Sequence, residues 1–127
     1  MDTGSAGTVM TVQRTLLVQL NSMLTDRAVR ELRDLVGRSL EAQPHRGLVL
    51  DLKAVEAMDS YVTRCVRDLA ICARMMGVPT VVCGVQPTVA DTLVEMDFDM
   101  GDVRTVLSLD VALRVLPAAG RRARGRS

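Results

Sequence analysis

Residues Gly47–Gly77 read GLVLDLKAVEAMDSYVTRCVRDLAICARMMG. Leu48, Val49 and Leu50 form a short apolar run between Gly47 and Asp51, the pattern of a buried strand. A loop follows, and Asp59-Ser60 opens a helical pattern. Val62, Cys65, Val66, Leu69, Cys72, Ala73 and Met76 recur at helical spacing, so one face is apolar. Gly77 ends the helix, where a left-handed residue closes the last turn. The segment is predicted to be strand, loop and helix, with a carboxylate and a hydroxyl at the helix start.

That helix start is the candidate functional site. Asp and Ser are favoured there because their oxygens accept hydrogen bonds from the unpaired N–H groups of the first turn. The same groups and the helix dipole favour added negative charge. A phosphate on Ser60 would bring about −1.5 to −2 charges and three acceptor oxygens. Ser60, Arg64 and Arg67 lie at i, i+4 and i+7, on a stripe opposite the apolar face. Arg64 is therefore placed to steady such a phosphate from one turn below. On residue pattern alone the plain helix cap is the commoner reading, since caps are frequent.

Composition frames the rest. A length of 127 residues suits one domain with one core. Hydrophobic residues make up 48% and aromatics 2%, with Tyr61 and Phe98 the sole aromatics, so the core must be built from Val, Leu, Ala, Met and Ile. So few rings argue against stacking on bases or sugars. The apolar runs fall far short of a membrane span and no secretory apolar segment follows Met1, so a soluble, cytoplasmic protein is expected. Net charge is +1, yet Arg121, Arg122, Arg124 and Arg126 all sit in the last seven residues. Without those four the balance is 12 basic against 15 acidic residues, a net of −3 that disfavours nucleic acid. Cys65, Cys72 and Cys83 form an odd set without CxxC spacing, which argues against a disulfide framework or zinc site. Cys65 and Cys72 read as small core residues of the central helix.

Outward from the central segment, residues 1–8 are small and polar and are expected to be a mobile tail. Val9–Gln13 and Leu16–Leu20 are predicted to pair as strands about Arg14-Thr15. Thr25 or Asp26 caps a helix to about Ala42, with Val29, Leu32, Leu35, Val36 and Leu40 inward and charges of alternating sign outward. His45, the single histidine, falls among loop residues and reads as a surface residue. Thr80–Cys83 is a further strand. Pro87 opens a helix with Val89, Ala90, Leu93, Val94 and Met96 inward. Asp97–Asp102 is an acidic connection, Val103–Leu107 a last strand, and Ser108 caps a final helix ended by Pro117. The arginine-bearing tail from Ala118 is expected to be disordered. The order β-β-α-β-α-β-α-β-α predicts an α/β domain, a mixed but mostly parallel sheet of about five strands with about four helices.

Catalytic motifs are absent. Neither GxGxxG nor GxxxxGK[ST] occurs, and no GxSxG surrounds a serine. Asp51 at a strand end lacks the acidic cluster and late lysine that a phosphoryl-accepting receiver domain needs, Lys53 being the one lysine. No enzyme, cofactor or metal is expected.

Four stretches together resemble a known family: LVLDL (Leu48–Leu52), MDSY (Met58–Tyr61), MMG (Met75–Gly77) and GVQPTVADTL (Gly84–Leu93). The chain resembles the STAS domain, the module of anti-sigma-factor antagonists, and within it the small stressosome scaffold of the RsbS type. The likeness covers roughly Val9–Leu116, and a domain spanning 9–117 is expected. It implies a STAS-type fold and a phosphorylatable scaffold that holds a switch serine/threonine kinase of the RsbT type. Ser60 would be the phosphoacceptor, and Asp59, Ser60, Tyr61 and Arg64 the partner-binding residues. It further implies release of the kinase on phosphorylation, a reset phosphatase, homodimers, and assembly with larger paralogues of the RsbR type in a stress-response pathway. Thr92 lies near a position that some larger paralogues phosphorylate, beside its ordinary reading as a plain helix residue. Simple antagonists of the family carry D-S-S-G or similar where this chain has Asp59, Ser60, Tyr61 and Val62, and bulky Tyr61 favours the stressosome type. The arginine tail is foreign to the pattern. Two alternatives stand beside this reading: a free anti-sigma-factor antagonist in a simple partner switch, and a nucleotide-binding STAS module.

Overall fold

The computed structural model describes residues 6–22, 24–95 and 103–116. In chain order these form β1 (Gly7–Val12), β2 (Thr15–Leu20), α1 (Asp26–Ala42), β3 (Gly47–Asp51), α2 (Ser60–Met75), β4 (Thr80–Cys83), α3 (Pro87–Glu95) and β5 (Arg104–Val106). A last helix, α4, occupies 109–116. The strands make one five-stranded sheet in sequence order. β1 runs antiparallel to β2, and every later pairing is parallel. This is the α/β fold the sequence predicts.

Side chains alternate across each strand and so divide between two cores. Leu16, Val18, Leu48, Leu50 and Val82 join the larger one, with the inward faces of α1, α2 and α3. Leu17, Val49, Val81 and Cys83 face the other way, onto Ala112 and Leu116 of α4. Every residue of β3 and β4 is buried, which is why both read as continuous rather than alternating apolar runs. Each fully buried Leu or Val side chain contributes about 1.5–3 kcal/mol, so the two central strands anchor the domain.

Helix ends follow their local chemistry. Thr25 caps α1, its hydroxyl accepting from the Ala28 N–H at 3.1 Å. At the far end of α2, Gly77 takes a φ of +78°. The Gly77 N–H donates to the Arg74 carbonyl and the Val78 N–H to the Ala73 carbonyl, both at 2.9 Å. That pair of bonds is the Schellman closure, with buried Val78 against buried Ala73. Ser108 caps α4 as expected, accepting from the Val111 N–H at 3.4 Å.

Several expectations need correction. Ala6 is fully buried and Gly7 pairs with Leu20, so the sheet begins before Val9 and residues 6–8 are not a tail. A Cβ on Gly7 would collide with the Gln19 carbonyl oxygen. Residues 1–5 of that expected tail lie outside the described residues. The hairpin turns at Gln13-Arg14, not Arg14-Thr15, with φ of 51° and 67°. Positive φ at both positions matches the twist of paired strands, and neither residue is the Gly or Asn that would have signalled it. Cys72 is exposed rather than core. The inward arc of α2 leans instead toward Thr63 and Ala70, both buried. Val94 is 79% exposed, so α3 buries the narrower pair Val89 and Leu93. Met96, the acidic connection 97–102, Pro117 and the arginine tail lie outside the described residues.

His45 is also corrected, from surface to buried, 9% exposed. The next residue explains it. The Arg46 N–H donates to the Arg14 carbonyl at 2.8 Å, which draws this loop against the β1–β2 hairpin. Neither ring nitrogen of His45 has a hydrogen-bond partner among the described residues. A buried polar group left unpaired costs about 1–3 kcal/mol. His45→Leu, an apolar side chain of similar reach, should therefore raise the urea midpoint, by roughly 1 kcal/mol of stability. A lower midpoint in the variant would show that the imidazole is held by a favourable contact.

Candidate functional site

The candidate helix start is the end point of a tightly held loop. β3 stops at Asp51, a buried carboxylate. Its Oδ1 accepts from the Lys53 N–H at 3.0 Å and its Oδ2 from Gln19 Nε2 at 3.2 Å. The Leu52 N–H donates to the Cys83 carbonyl at 2.9 Å, and the Val55 N–H to the Leu52 carbonyl at 3.0 Å. Leu52, Val55 and Met58 are buried, so the loop is pinned by three apolar side chains along its length.

The other hold comes from the β4–α3 junction. Gln86 Nε2 donates to the Lys53 carbonyl and Thr88 Oγ1 to the Glu56 carbonyl, each at 2.6 Å. Gly84, at φ +72°, lets this junction approach. A Cβ there would stand 3.0 Å from the Lys53 nitrogen and 3.1 Å from Asp51 Oδ1. The GVQPT segment is thus a clamp on the loop that leads to Ser60. The sequence singles out this stretch by likeness, but not what it holds. Gln19, Gln86 and Thr88 act across 32 or 33 residues of chain, a separation that no local pattern reports.

Beyond the loop, Asp59 is the cap of α2. Its backbone is extended, and its Oδ1 accepts from the Val62 N–H at 2.8 Å. Its carbonyl accepts from the Thr63 N–H at 3.0 Å and from the Thr63 hydroxyl at 2.8 Å. Ser60 is therefore the first helical residue, not the cap. It is exposed, and its hydroxyl makes no hydrogen bond among the described residues. Arg64 and Arg67 are exposed on the same stripe, and neither joins an ion pair among the described residues. Tyr61 points elsewhere: it is half-buried and packs against the larger core. Ser60 and Arg64 thus share a solvent-facing stripe, while Asp59 and Tyr61 support the helix start. Thr92 is half-buried, and its hydroxyl donates to the Thr88 carbonyl of its own helix at 3.2 Å.

Two clefts, of about 360 and 430 Å³, flank Asp51, and both are lined by Gln19, Asp51 and Lys53. No group of three or more His, Cys, Asp or Glu side chains able to hold a metal occurs among the described residues. Nor is any described helix long and apolar enough to cross a membrane. Beneath the loop, the buried Cys83 thiol is pushed up to about 12, by burial first, then by the negative charge of Asp51 and by its hydrogen bond to that carboxylate.

Sheet order and loop geometry define a small α/β domain that presents its polar loop residues at the carboxyl ends of parallel strands. The chain belongs to the STAS domain family, whose model matches residues 8–112. It is 30% identical over 66 residues to the RsbT co-antagonist protein RsbRD of Bacillus subtilis (strain 168). That match takes in 52% of this chain and 24% of the relative, so the chain spans about a quarter of the curated relative it matches. Among solved structures it is similar to a Ser→Glu variant of RsbS from Moorella thermoacetica. The identity is 30%, over 92% of this chain and 99% of that one, with a TM-score of 0.84. It is also similar to a chain from the stressosome, described as a signal integration and transduction hub. That identity is 31%, over 90% of this chain and 99% of that one, with a TM-score of 0.81. The phosphorylated form of the Bacillus protein SpoIIAA shares the fold at 16% identity and a TM-score of 0.69, over 87% of this chain and 99% of that one. The chain is thus a STAS protein of the stressosome and anti-sigma-antagonist kind.

The Cys83 thiol gives a test of the packing under the site. Below the unfolded thiol value of about 8.5 both states keep the proton, and its contribution is constant. Above it the unfolded chain ionises while the native thiol, held near 12, does not. Stability therefore falls as pH rises, by up to roughly 1.4 kcal/mol per unit between about pH 9 and 11. Urea unfolding at pH 8 and pH 10 should show this loss, and Cys83→Ala should lessen it. An equal loss in both proteins would place the thiol in a wetter setting.

Proposed function

We propose that this protein is a non-catalytic stressosome scaffold and antagonist that captures a switch serine/threonine kinase and releases it when Ser60 is phosphorylated. The observation that carries the reading is the free, exposed Ser60 hydroxyl beside a cap that does not need it. The similarity to RsbS, to the stressosome chain and to an RsbT co-antagonist supports the class of partner. The kinase is of the RsbT type, and co-assembly is with larger paralogues of the RsbR type and with a second copy of this chain. A phosphatase resets Ser60, and the site of action is the cytoplasm. Asp59, Ser60, Tyr61 and Arg64 form the kinase-facing end of α2.

Magnitudes locate the switch in binding, not in folding. A phosphate at the first position of α2 gains about 0.3–1 kcal/mol from the helix N-terminus. Its pairing with Arg64 one turn below adds a few tenths. Repulsion from the Asp59 carboxylate offsets part of that, so the helix start survives the modification. In the complex the balance is different. A charge buried at an interface without its partner costs about 2–5 kcal/mol, which is some 30-fold or more in affinity. Phosphorylation of Ser60 thus removes the kinase without disturbing the sheet.

Incubation with a co-encoded RsbT-type kinase and ATP should place one phosphate on Ser60, read by mass spectrometry of its peptide. Ser60→Ala should keep kinase capture, and Ser60→Asp should weaken it at least 10-fold. Equal capture by both variants would sink the proposal. Sizing with the RsbR-type paralogue separates scaffold from free antagonist, since a scaffold enters a particle far larger than a dimer. Saturable binding of ATP or GTP to the isolated protein would instead favour a nucleotide-binding module.

A further inference from the structure

The solvent face of α2 continues below the site in a way the fold does not require. Ser60, Arg64, Arg67, Ile71 and Met75 recur at steps of four, three, four and four residues. At a rise of 1.5 Å per residue this stripe is about 22 Å long. Its upper half is basic. Its lower half carries exposed apolar side chains, Ile71 at 39% and Met75 at 82%, with Met76 at 45%, and exposed Arg74 flanks them. Ile71 is the single isoleucine of the chain. Scattered exposed apolar residues are ordinary, but these adjoin one another and continue a charged stripe along one helix.

We infer that this whole stripe is one docking seam, resting on the kinase-capture reading above, and that it takes a kinase surface with an apolar centre and an acidic margin. Charge complementarity selects that occupant. Arg64 and Arg67 form no ion pair among the described residues, although Asp68 lies one turn beyond Arg64. Asp68, the one acidic residue of α2, is exposed at the edge of the stripe. A second copy of this helix is a poorer fit. Side by side in parallel, two copies oppose arginine to arginine. Antiparallel, they set the Arg64 guanidinium over Ile71. An acidic margin answers the upper half while an apolar patch covers the lower half, the layout of helix-face recognition. Phosphorylation then acts on the seam from one end, because phosphate on Ser60 takes up the charge of Arg64 that the acidic margin would otherwise meet.

The test uses the full chain and the purified RsbT-type kinase. Arg67→Glu and Met75→Glu change exposed residues 7 and 15 positions beyond Ser60, so both variants should fold, checked by thermal unfolding. Each should weaken kinase binding about 10-fold or more, and binding by the wild type should fall as salt is raised. If both bind as tightly as wild type while Ser60→Asp does not, the seam ends near Ser60 and this inference is overturned while the capture reading stands. If wild type binds no kinase, both are overturned.

Discussion

Two hydrogen bonds, from Gln86 and Thr88 to the carbonyls of Lys53 and Glu56, decide where the site stands. Residues 52–59 have no ladder of their own, and a free loop of that length would let the start of α2 wander. The clamp answers two of its carbonyls from outside, Asp51 answers the Lys53 N–H, and Leu52, Val55 and Met58 fill the space beneath. The clamp bonds lie at the surface, so they act together with the buried Asp51 carboxylate and the three buried apolar side chains in fixing the path of the loop. Gly84 is the condition for it, since any Cβ would press on both Asp51 and Lys53.

The clamp also explains why an exposed serine can sit on a rigid platform. Hydrophobic burial is concentrated in β3 and β4 and under the inward faces of α1 and α2. The start of α2 inherits that stability through its buried first-turn residues Val62 and Thr63. Charge placed on Ser60 meets the dipole end and Arg64, not the core. A modification there changes what the surface offers and leaves the packing beneath it intact.

Much of this was legible in the amino-acid order. Strand β3, the existence and start of α2, the stop at Gly77 and the opening helix capped at Thr25 all follow from short-range periodicity and turn chemistry. The Asp59-Ser60 pair ahead of a helical period put Ser60 at a helix start, where it lies. What failed did so for physical reasons. Gln13-Arg14 adopts left-handed backbone without the residues that favour it, so the hairpin was displaced by one position. His45 is buried because a neighbouring amide reaches the hairpin, a contact made across the fold. Cys72 and Val94 share a helical period with buried residues but sit at the edges of arcs narrower than the period suggests. Tyr61, expected among the partner-binding residues, is half-buried and leans on the core.

Asp59 caps α2 through the Val62 N–H without help from the Ser60 hydroxyl, so its neighbour carries no part of the cap. Evolution can therefore rewrite position 60 cheaply. Loss of the hydroxyl would leave the cap and the packing beneath it in place. If Ser60 is the switch proposed above, responsive and silent versions of the domain differ by one side chain and share one fold.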